Sequence, residues 1–490
     1  MTRKPMIASG AAVIALMVFA WLMPDLRRTL IFDLTYWDAR PGGEPPQLAG
    51  GSGPGLSPVP RTRVVLIDGL DAQIAPSLAN WTAACKRGLA VTVDVGFPTV
   101  SLPVEAALWT GLTQQQSGIV HRGGGKGGKY GRPLDPPLDR RGIPAQIAGS
   151  IAIAEDHGWI VRSLGFSTVL PPAGDHPADD AEPAAWKQRW ETEASVAVAG
   201  SSPMVFVHVL RVDSAGHKFG VGPHYGRIAV EADAILGRLL AADPSARWFL
   251  LSDHGHLGGH GGEERSLRHV ESCIVGPGIT PGRGPLIHVV DVARAIADST
   301  GATLDPASAG RPFSVALAAP LGADQAVPPL ELARGVIAIF LVALGLGSIV
   351  WGAGRRWWLA PLWFGVACGA LLVGLDEPSL SLGWLYAYDG RRMLELWIPG
   401  LVIAAVTTWF GLGRTTLARV LAAQLGLPLL ALAAAITAAG GWATVLGAEV
   451  APVVPHYTAY MLVLVLLLAA GAAAVALGIF ARLIYGVIKR

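Results

Sequence analysis

The sequence predicts a mostly parallel α/β domain, residues 61–325, that lies between an N-terminal membrane anchor and an α-helical region with further membrane spans. Two features of the composition indicate this layout. Hydrophobic residues make up 52% of the 490 residues and charged residues only 15%, whereas soluble proteins usually carry about 25% charged residues. All twelve histidines except His456 lie between His121 and His288, so the chemistry is expected in the α/β domain.

Apolar runs predict about six membrane-spanning helices. The first, Met6–Met23, follows Arg3 and Lys4 and is close to the length of about 20 residues that a span needs, so residues 1–23 are expected to be an uncleaved signal anchor. Residues 24–60 include a stretch rich in Pro, Gly and Ser and are expected to be a flexible linker. Five more uncharged runs follow in residues 326–490: Gly335–Ala353, Trp357–Leu375, Leu396–Leu412, Val420–Ala438 and Tyr460–Phe480.

Basic residues predict the orientation of these spans. An N-terminus in the cytoplasm places most of the C-terminal basic residues on the cytoplasmic side and leaves Arg391 and Arg392 in one outer loop, as the positive-inside rule requires. The α/β domain is then expected outside the cytoplasm, in the periplasm, at the cell exterior or in the ER lumen. In such an oxidising compartment Cys85 and Cys273 could form a disulfide.

Short apolar runs typical of β-strands alternate with helix-like segments in this domain. The runs are Val64–Ile67, Val91–Val95, Trp159–Ser163, Met204–Leu210, Trp248–Leu251 and Cys273–Val275. Such alternation predicts a mostly parallel sheet, whose functional residues should lie at the carboxyl ends of the strands.

Acidic and histidine residues follow three of these predicted strands. They are Asp68 after the first strand, Asp213 and His217 after Met204–Leu210, and Asp253, His254 and His260 after Trp248–Leu251. A strand-terminal Asp before Gly is often only a turn residue, and a lone histidine is usually structural. Six such side chains together supply enough carboxylate and imidazole ligands for two divalent metal ions.

A hydroxyl residue before the helix-like run Val104–Thr110 is the candidate nucleophile, and both Thr99 and Ser101 stand there. A hydroxyl at this position usually caps the helix, but the same backbone N–H groups also bind phosphate. Two metals about 4 Å apart lower the pKa of a hydroxyl and hold the oxygens of a phosphoryl group. The combined residues therefore favour phosphoryl transfer.

The order and residue patterns of these segments resemble those of the alkaline phosphatase superfamily, specifically its type I phosphodiesterase and nucleotide pyrophosphatase branch. The resemblance extends from about Arg63 to Gly278, and its most specific parts are Ser-Asp-His-Gly and Asp-x-x-Gly-His-x-x-Gly. It implies an alkaline-phosphatase-like fold, a zinc site at Asp213, His217 and His260, and another at Asp68, Asp253 and His254. It also implies that the nucleophile is Ser101, with Thr99 as the alternative, and that Ser101 bridges toward both metals and carries a phosphoryl intermediate.

The layout of anchor, exported domain and C-terminal spans is similar to that of the GPI ethanolamine phosphate transferases, as is the segment Pro-Thr-Val-Ser-Leu-Pro. The chain departs from that family in having far fewer C-terminal spans. It also has Val104 where the nucleotide pyrophosphatases usually place a phosphate-binding Asn. Sulfatases have an Arg where this chain has Glu105, so a sulfatase is not expected.

Four further residues are candidate substrate contacts: His256, His224, Lys126 and Lys129. The lysines belong to a glycine-rich loop that lacks the Ser or Thr of a P-loop, and a solvated loop is the alternative. His256 does not fit the spacing of the ligand pattern, so it is expected behind the ligands or facing the substrate. Surface packing is the alternative for His224.

The expected function is a membrane-bound two-zinc phosphotransferase. It would move a phosphate-linked headgroup, phosphoethanolamine from phosphatidylethanolamine, to a hydroxyl of a lipid-linked or glycan acceptor. One alternative is a type I phosphodiesterase that hydrolyses nucleotide or glycerophospholipid diesters, and another is a membrane scaffold with an inactive phosphatase-like domain. Nucleic acid binding is not expected, because 38 basic residues stand against 36 acidic ones and phosphate-backbone binders carry a basic excess.

Overall fold

The computed structural model of the protein describes residues 53–117, 119, 142–156, 158–171, 183–256, 260–261, 265–319 and 321, together with 340, 343–348 and 351. The chain divides into two compact units, and the α/β domain belongs to the unit of residues 35–323 and 382–387. In the other unit, residues 343–348 are helical. No helix within the described ranges is both long and apolar enough to cross a bilayer. The anchor and most of the C-terminal spans predicted above lie outside those ranges.

The described residues form an eight-stranded sheet with the order β4-β3-β5-β1-β6-β7-β2-β8. Its strands are Thr62–Ile67 (β1), Leu89–Asp94 (β2), Ile151–Ala154 (β3), Thr168–Leu170 (β4), Met204–Val209 (β5), Arg247–Leu251 (β6), His269–Val275 (β7) and Gly282–His288 (β8). Strand β7 is antiparallel to both of its neighbours, and the other pairings are parallel. The expected α/β architecture with a mostly parallel sheet is confirmed.

Helices cover both faces of the sheet. They are Ala79–Arg87 (α1), Ser101–Thr110 (α2), Gln114–Ser117 (α3), Gly158–Arg162 (α4), Pro183–Ala199 (α5), Arg211–Phe219 (α6), Pro223–Ala242 (α7), Arg265–Arg268 (α8), Val289–Thr300 (α9) and Phe313–Ala318 (α10), with 3₁₀ turns at Ala75–Ser77 and Pro144–Gln146. Residues of α2 and α9 pack on the face that holds Val64 and Leu66, and residues of α1, α5 and α7 pack on the face that holds Val65 and Ile67. Burial on both faces explains why residues 64–67 of β1 form a continuous apolar run.

One predicted strand is wrong. The run Trp159–Ser163 lies largely in helix α4. The strand in this part of the sequence comes earlier, at Ile151–Ala154. The buried residues Ile160, Val161 and Leu164 recur at helical rather than alternating spacing. A short apolar run does not by itself distinguish a helix from a strand.

A disulfide joins Cys85 of α1 to Cys273 of β7, with the two Cα atoms 5.2 Å apart. It ties the helical layer to the antiparallel strand of the sheet. The residues that it links are separated by 188 positions in the chain.

Candidate metal centre and nucleophile

The carboxyl ends of the adjacent strands β1 and β6 bring two aspartates and a histidine together. Asp68 directly follows β1, and Asp253 and His254 follow β6 after one residue. Nε2 of His254 lies 3.3 Å from Asp68 Oδ1 and 3.3 Å from Asp253 Oδ2, and the three side chains are fully buried. The backbone N–H of Gly69 donates to Asp253 Oδ1 at 3.1 Å, which fixes the orientation of this carboxylate.

A second group lies on helix α6 and in the segment that follows β6. Asp213 and His217 are four residues apart on α6 and so share one face of it, with His217 Nε2 3.3 Å from Asp213 Oδ1. Nε2 of His260 lies 3.5 Å from the same oxygen and 3.1 Å from His217 Nε2. The rings of His254 and His260 stack with centroids 3.7 Å apart, so the two groups are neighbours.

The structure therefore brings together all six residues that the sequence predicts as metal ligands, and their separations suit a divalent metal. Zn²⁺ with bonds of about 2.0–2.1 Å places neighbouring ligand atoms of a tetrahedron about 3.3 Å apart. The distances within the two groups range from 3.1 to 3.5 Å. Asp213 Oδ1 and Asp253 Oδ2 are buried and accept no hydrogen bond from the described residues, and a bound cation would satisfy both.

Hydrogen bonds on the far side of two imidazoles fix which ring nitrogen faces the groups. Nδ1 of His260 lies 2.8 Å from the carbonyl oxygen of Thr99, and Nδ1 of His254 lies 3.0 Å from that of Gly255. Because a carbonyl only accepts, each Nδ1 donates its proton to the carbonyl oxygen, and Nε2 is the ring nitrogen that faces the carboxylates. This outer contact is typical of histidines that bind metals.

Protonation favours metal binding in the second group. Burial, and next the charge of His254, lower the pKa of His260 well below its ordinary value, so His260 stays neutral and able to coordinate. Burial alone would raise the pKa of Asp213, but the charge of His217 and next the polar contact with His256 hold it well below its usual range. Asp213 is therefore ionised.

Ser101 and Thr99, the two candidate nucleophiles, are both buried but have different neighbours. Ser101 is the first residue of α2, and its Oγ lies 3.5 Å from His254 Nε2. Oγ1 of Thr99 instead accepts a hydrogen bond from the backbone N–H of Gly261 at 2.9 Å. The geometry favours Ser101 as the nucleophile, because its hydroxyl faces the first ligand group while Thr99 holds the segment that carries His260.

Two buried residues next to the first group were not among the predicted site residues. His208 lies on β5 directly beside Leu66 of β1, and its Nε2 is 3.2 Å from Asp68 Oδ2 and 3.6 Å from Glu105 Oε1. Burial, and then the charge of Asp253, raise the pKa of Glu105 well above its ordinary value. The available signals were a single polar residue, His208, within the apolar strand β5 and a single charged residue, Glu105, within the largely apolar helix α2.

The remaining candidate contacts fall in different places. His256 lies next to the second group, with Nε2 3.3 Å from Asp213 Oδ1. His224 lies on the first turn of α7, where its Nδ1 is 2.7 Å from Arg227 Nη2 and its ring packs against Phe219. The two lysines of the glycine-rich loop, Lys126 and Lys129, are outside the described residues. All four stay predictions as substrate contacts.

No protein-family model matches the sequence, and no curated protein sequence matches it. Among solved structures, human ectonucleotide pyrophosphatase/phosphodiesterase 5 is 14% identical, with 53% of this chain and 99% of that chain covered and a TM-score of 0.42. A protein of the alkaline phosphatase superfamily from Vibrio parahaemolyticus is 15% identical, with 60% and 79% covered and a TM-score of 0.39. A putative sulfatase from Bacteroides thetaiotaomicron is also 15% identical, with 53% and 74% covered and a TM-score of 0.41. Likeness of this degree identifies neither a family nor an activity for this chain.

Proposed function

We propose that this protein is a metal-dependent enzyme of the alkaline phosphatase type that transfers a phosphoryl group through Ser101. The observation that carries the proposal is the meeting of two Asp/His groups, buried except for the partly exposed His217, with a serine hydroxyl that lies 3.5 Å from His254 Nε2 at the start of a helix. Asp68, Asp253 and His254 would hold one divalent ion, and Asp213, His217 and His260 the other, both expected to be Zn²⁺. The ions would supply positive charge that lowers the pKa of the hydroxyl and binds the phosphate oxygens.

Each residue then has a defined part in the reaction. The Ser101 Oγ–P bond forms as the bond from phosphorus to the leaving oxygen breaks, and the serine proton passes through solvent to that oxygen. Backbone N–H groups at the start of α2 face the phosphoryl group and stabilise its negative charge. An acceptor hydroxyl, or water, then takes the phosphoryl group and its proton returns to Ser101.

The proposed donor is a phospholipid, phosphatidylethanolamine, and the proposed acceptor is a hydroxyl of a lipid-linked or glycan molecule. The membrane location predicted from the sequence supports this choice, because five predicted C-terminal spans exceed what a tether needs. The proposed site of action is the non-cytoplasmic side. The Cys85–Cys273 disulfide supports it, since such bonds persist in oxidising compartments.

The test is to incubate the full chain, purified in detergent with zinc, with a mixed lipid extract and to measure by peptide mass spectrometry the mass added to the peptide of Ser101. We expect a phosphoethanolamine adduct on Ser101, and none in Ser101→Ala. Thr99→Val tests the alternative nucleophile: the adduct should stay on Ser101, although its amount can fall because the variant also loses the contact with the N–H of Gly261.

Other outcomes separate the alternatives. Turnover of phosphodiesters that depends on Ser101, with no trapped phosphoethanolamine, would favour the phosphodiesterase over the transferase. An adduct on Thr99 would contradict the assignment of the nucleophile. A chain that binds less than one metal ion and turns over no diester would favour the scaffold and overturn the proposed function.

A further inference from the structure

His256 is a buried imidazole to which the superfamily resemblance gives no role. Its side chain is fully buried, and its Nε2 lies 3.3 Å from Asp213 Oδ1. Neither ring nitrogen makes a hydrogen bond of normal geometry with a described residue. A buried imidazole is costly unless its nitrogens are bound, and the carboxylate that His256 faces belongs to a proposed metal ligand.

Three imidazoles converge on the same carboxylate oxygen. The Nε2 atoms of His217, His256 and His260 lie 3.3, 3.3 and 3.5 Å from Asp213 Oδ1. These values are close to the edge of a zinc tetrahedron, about 3.3 Å. Ligand atoms of Asp213, His217 and His256 also lie within 4.8 Å of one another, as a shared ion requires.

The imidazole of His256 packs against the backbone at Gly216. A Cβ atom placed on Gly216 would lie 2.6 Å from three ring atoms of His256, including Nε2. Gly216 directly precedes His217 on α6, so the helix backbone approaches His256 beside a proposed ligand. Any side chain at position 216 would therefore force the imidazole of His256 to shift.

We propose that His256 is a fourth protein ligand of the metal at the Asp213 site, bound through Nε2 with Asp213, His217 and His260. The inference rests on the metal binding in the proposed function. Zinc sites with four protein ligands hold their ion firmly, and zinc can expand to five ligands during catalysis, so this ion could still accept a phosphate oxygen. The Asp213 site would then retain its ion more strongly than the site beside Ser101.

The test counts imidazoles at the Asp213 site by zinc X-ray absorption on the full chain in detergent. His254→Ala is used as background, because it weakens the other site and leaves one zinc to be counted. We expect three imidazoles per zinc in this background and two when His256→Ala is added. A count of two in the background that His256→Ala does not change would overturn the inference.

Zinc affinity provides a second readout by competition with a chelator. Loss of an outer contact to a ligand typically weakens binding about 10–100-fold, so His256→Ala should weaken the Asp213 site by more than about 100-fold. His224→Ala, which removes a histidine held by Arg227, should leave the affinity unchanged. Equal affinities in His256→Ala and the wild type would contradict the inference.

Gly216→Ala tests the same contact without removing a ligand. It should weaken zinc binding by displacing His256, and the double variant with His256→Ala should bind no more weakly than His256→Ala alone. Additive losses would mean that Gly216 acts on His217 instead, and would overturn the argument. Two zinc ions in the wild type with unchanged variants would refute this inference alone, whereas absence of zinc in the wild type would refute the proposed function with it.

Discussion

Strand β1 has a buried charged residue close to each of its ends, Arg63 at the amino end and Asp68 at the carboxyl end. The surroundings of these two residues differ. At the amino end, Arg63 is fully buried, and its Nε and Nη1 donate to the carbonyl oxygens of Val198 at 3.0 Å and Ser202 at 2.9 Å. Its Nη2 lies 3.0 Å from Asp243 Oδ2. The chain itself therefore supplies the partners of this guanidinium group.

At the carboxyl end of the same strand, two carboxylates lie close together. Asp68, Asp253 and His254 have ligand atoms within 4.8 Å of one another, so two carboxylates and an imidazole nitrogen converge on one point. Burying like charges without a cation is unfavourable. Burial of charge does not by itself mark a functional site, because a buried charge whose partners come from the chain is structural.

The largest expected effect on stability comes from the amino end. Arg63→Met leaves several carbonyl oxygens without a donor and Asp243 with less positive charge, so we expect a loss of about 3–5 kcal/mol in the free energy of unfolding. Thermal unfolding followed by tryptophan fluorescence measures it. The loss should be the same with and without zinc, and a loss seen only with zinc would contradict the independence of the two ends.

Asp94 is a buried carboxylate at the carboxyl edge of the sheet that is paired with Arg268. Burial would raise its pKa, but Arg268, whose Nε donates to Asp94 Oδ1 at 3.0 Å, lowers the pKa to about 2. Because the folded-state pKa is below the unfolded value, ionised Asp94 stabilises the fold above about pH 4, and this contribution is lost as the pH falls toward 2. Asp94→Asn should therefore cost about 2 kcal/mol at pH 7 and little near pH 2.

Unfolding of Asp94→Asn and the wild type across this pH range measures the difference. Zinc affinity should not change, since Asp94 already has its cation in Arg268. A cost that is independent of pH would contradict the role of the ion pair.

His208 tests whether residues behind the first group orient its ligands. His208→Leu removes the nitrogen that lies 3.2 Å from Asp68 Oδ2 and should weaken zinc binding about 10–100-fold. His208→Gln, which restores an N–H group, should recover part of the affinity. If both variants lose stability but bind zinc as the wild type does, His208 only fills space.

The smallest effect has the opposite sign to the first. Asp68→Asn removes one of two neighbouring carboxylates, so the zinc-free protein should unfold at an equal or higher temperature, with a gain of up to about 1 kcal/mol. The stabilisation that zinc gives to the wild type should be reduced. A large loss of stability in the zinc-free variant would mean that Asp68 is structural.

The sheet and the ligand groups are predictable from the sequence for one physical reason. The carboxyl ends of parallel strands meet at one edge, so Asp68 and Asp253 could be expected together before any coordinates were known. His208 could not be placed in this way, because its contact depends on the register that pairs it with Leu66. The position of His256 could not be predicted either, because it depends on how α6 packs. The ring fits beside α6 because residue 216 is a glycine.

Zinc titration of the metal-free full chain in detergent by calorimetry tests the central claim that the carboxyl end is completed by metal ions. We predict two equivalents for the wild type, two for Arg63→Met, and one for Asp213→Asn, which impairs only the second group. Less than one equivalent in the wild type, or equal binding by the wild type and Asp213→Asn, would contradict the claim.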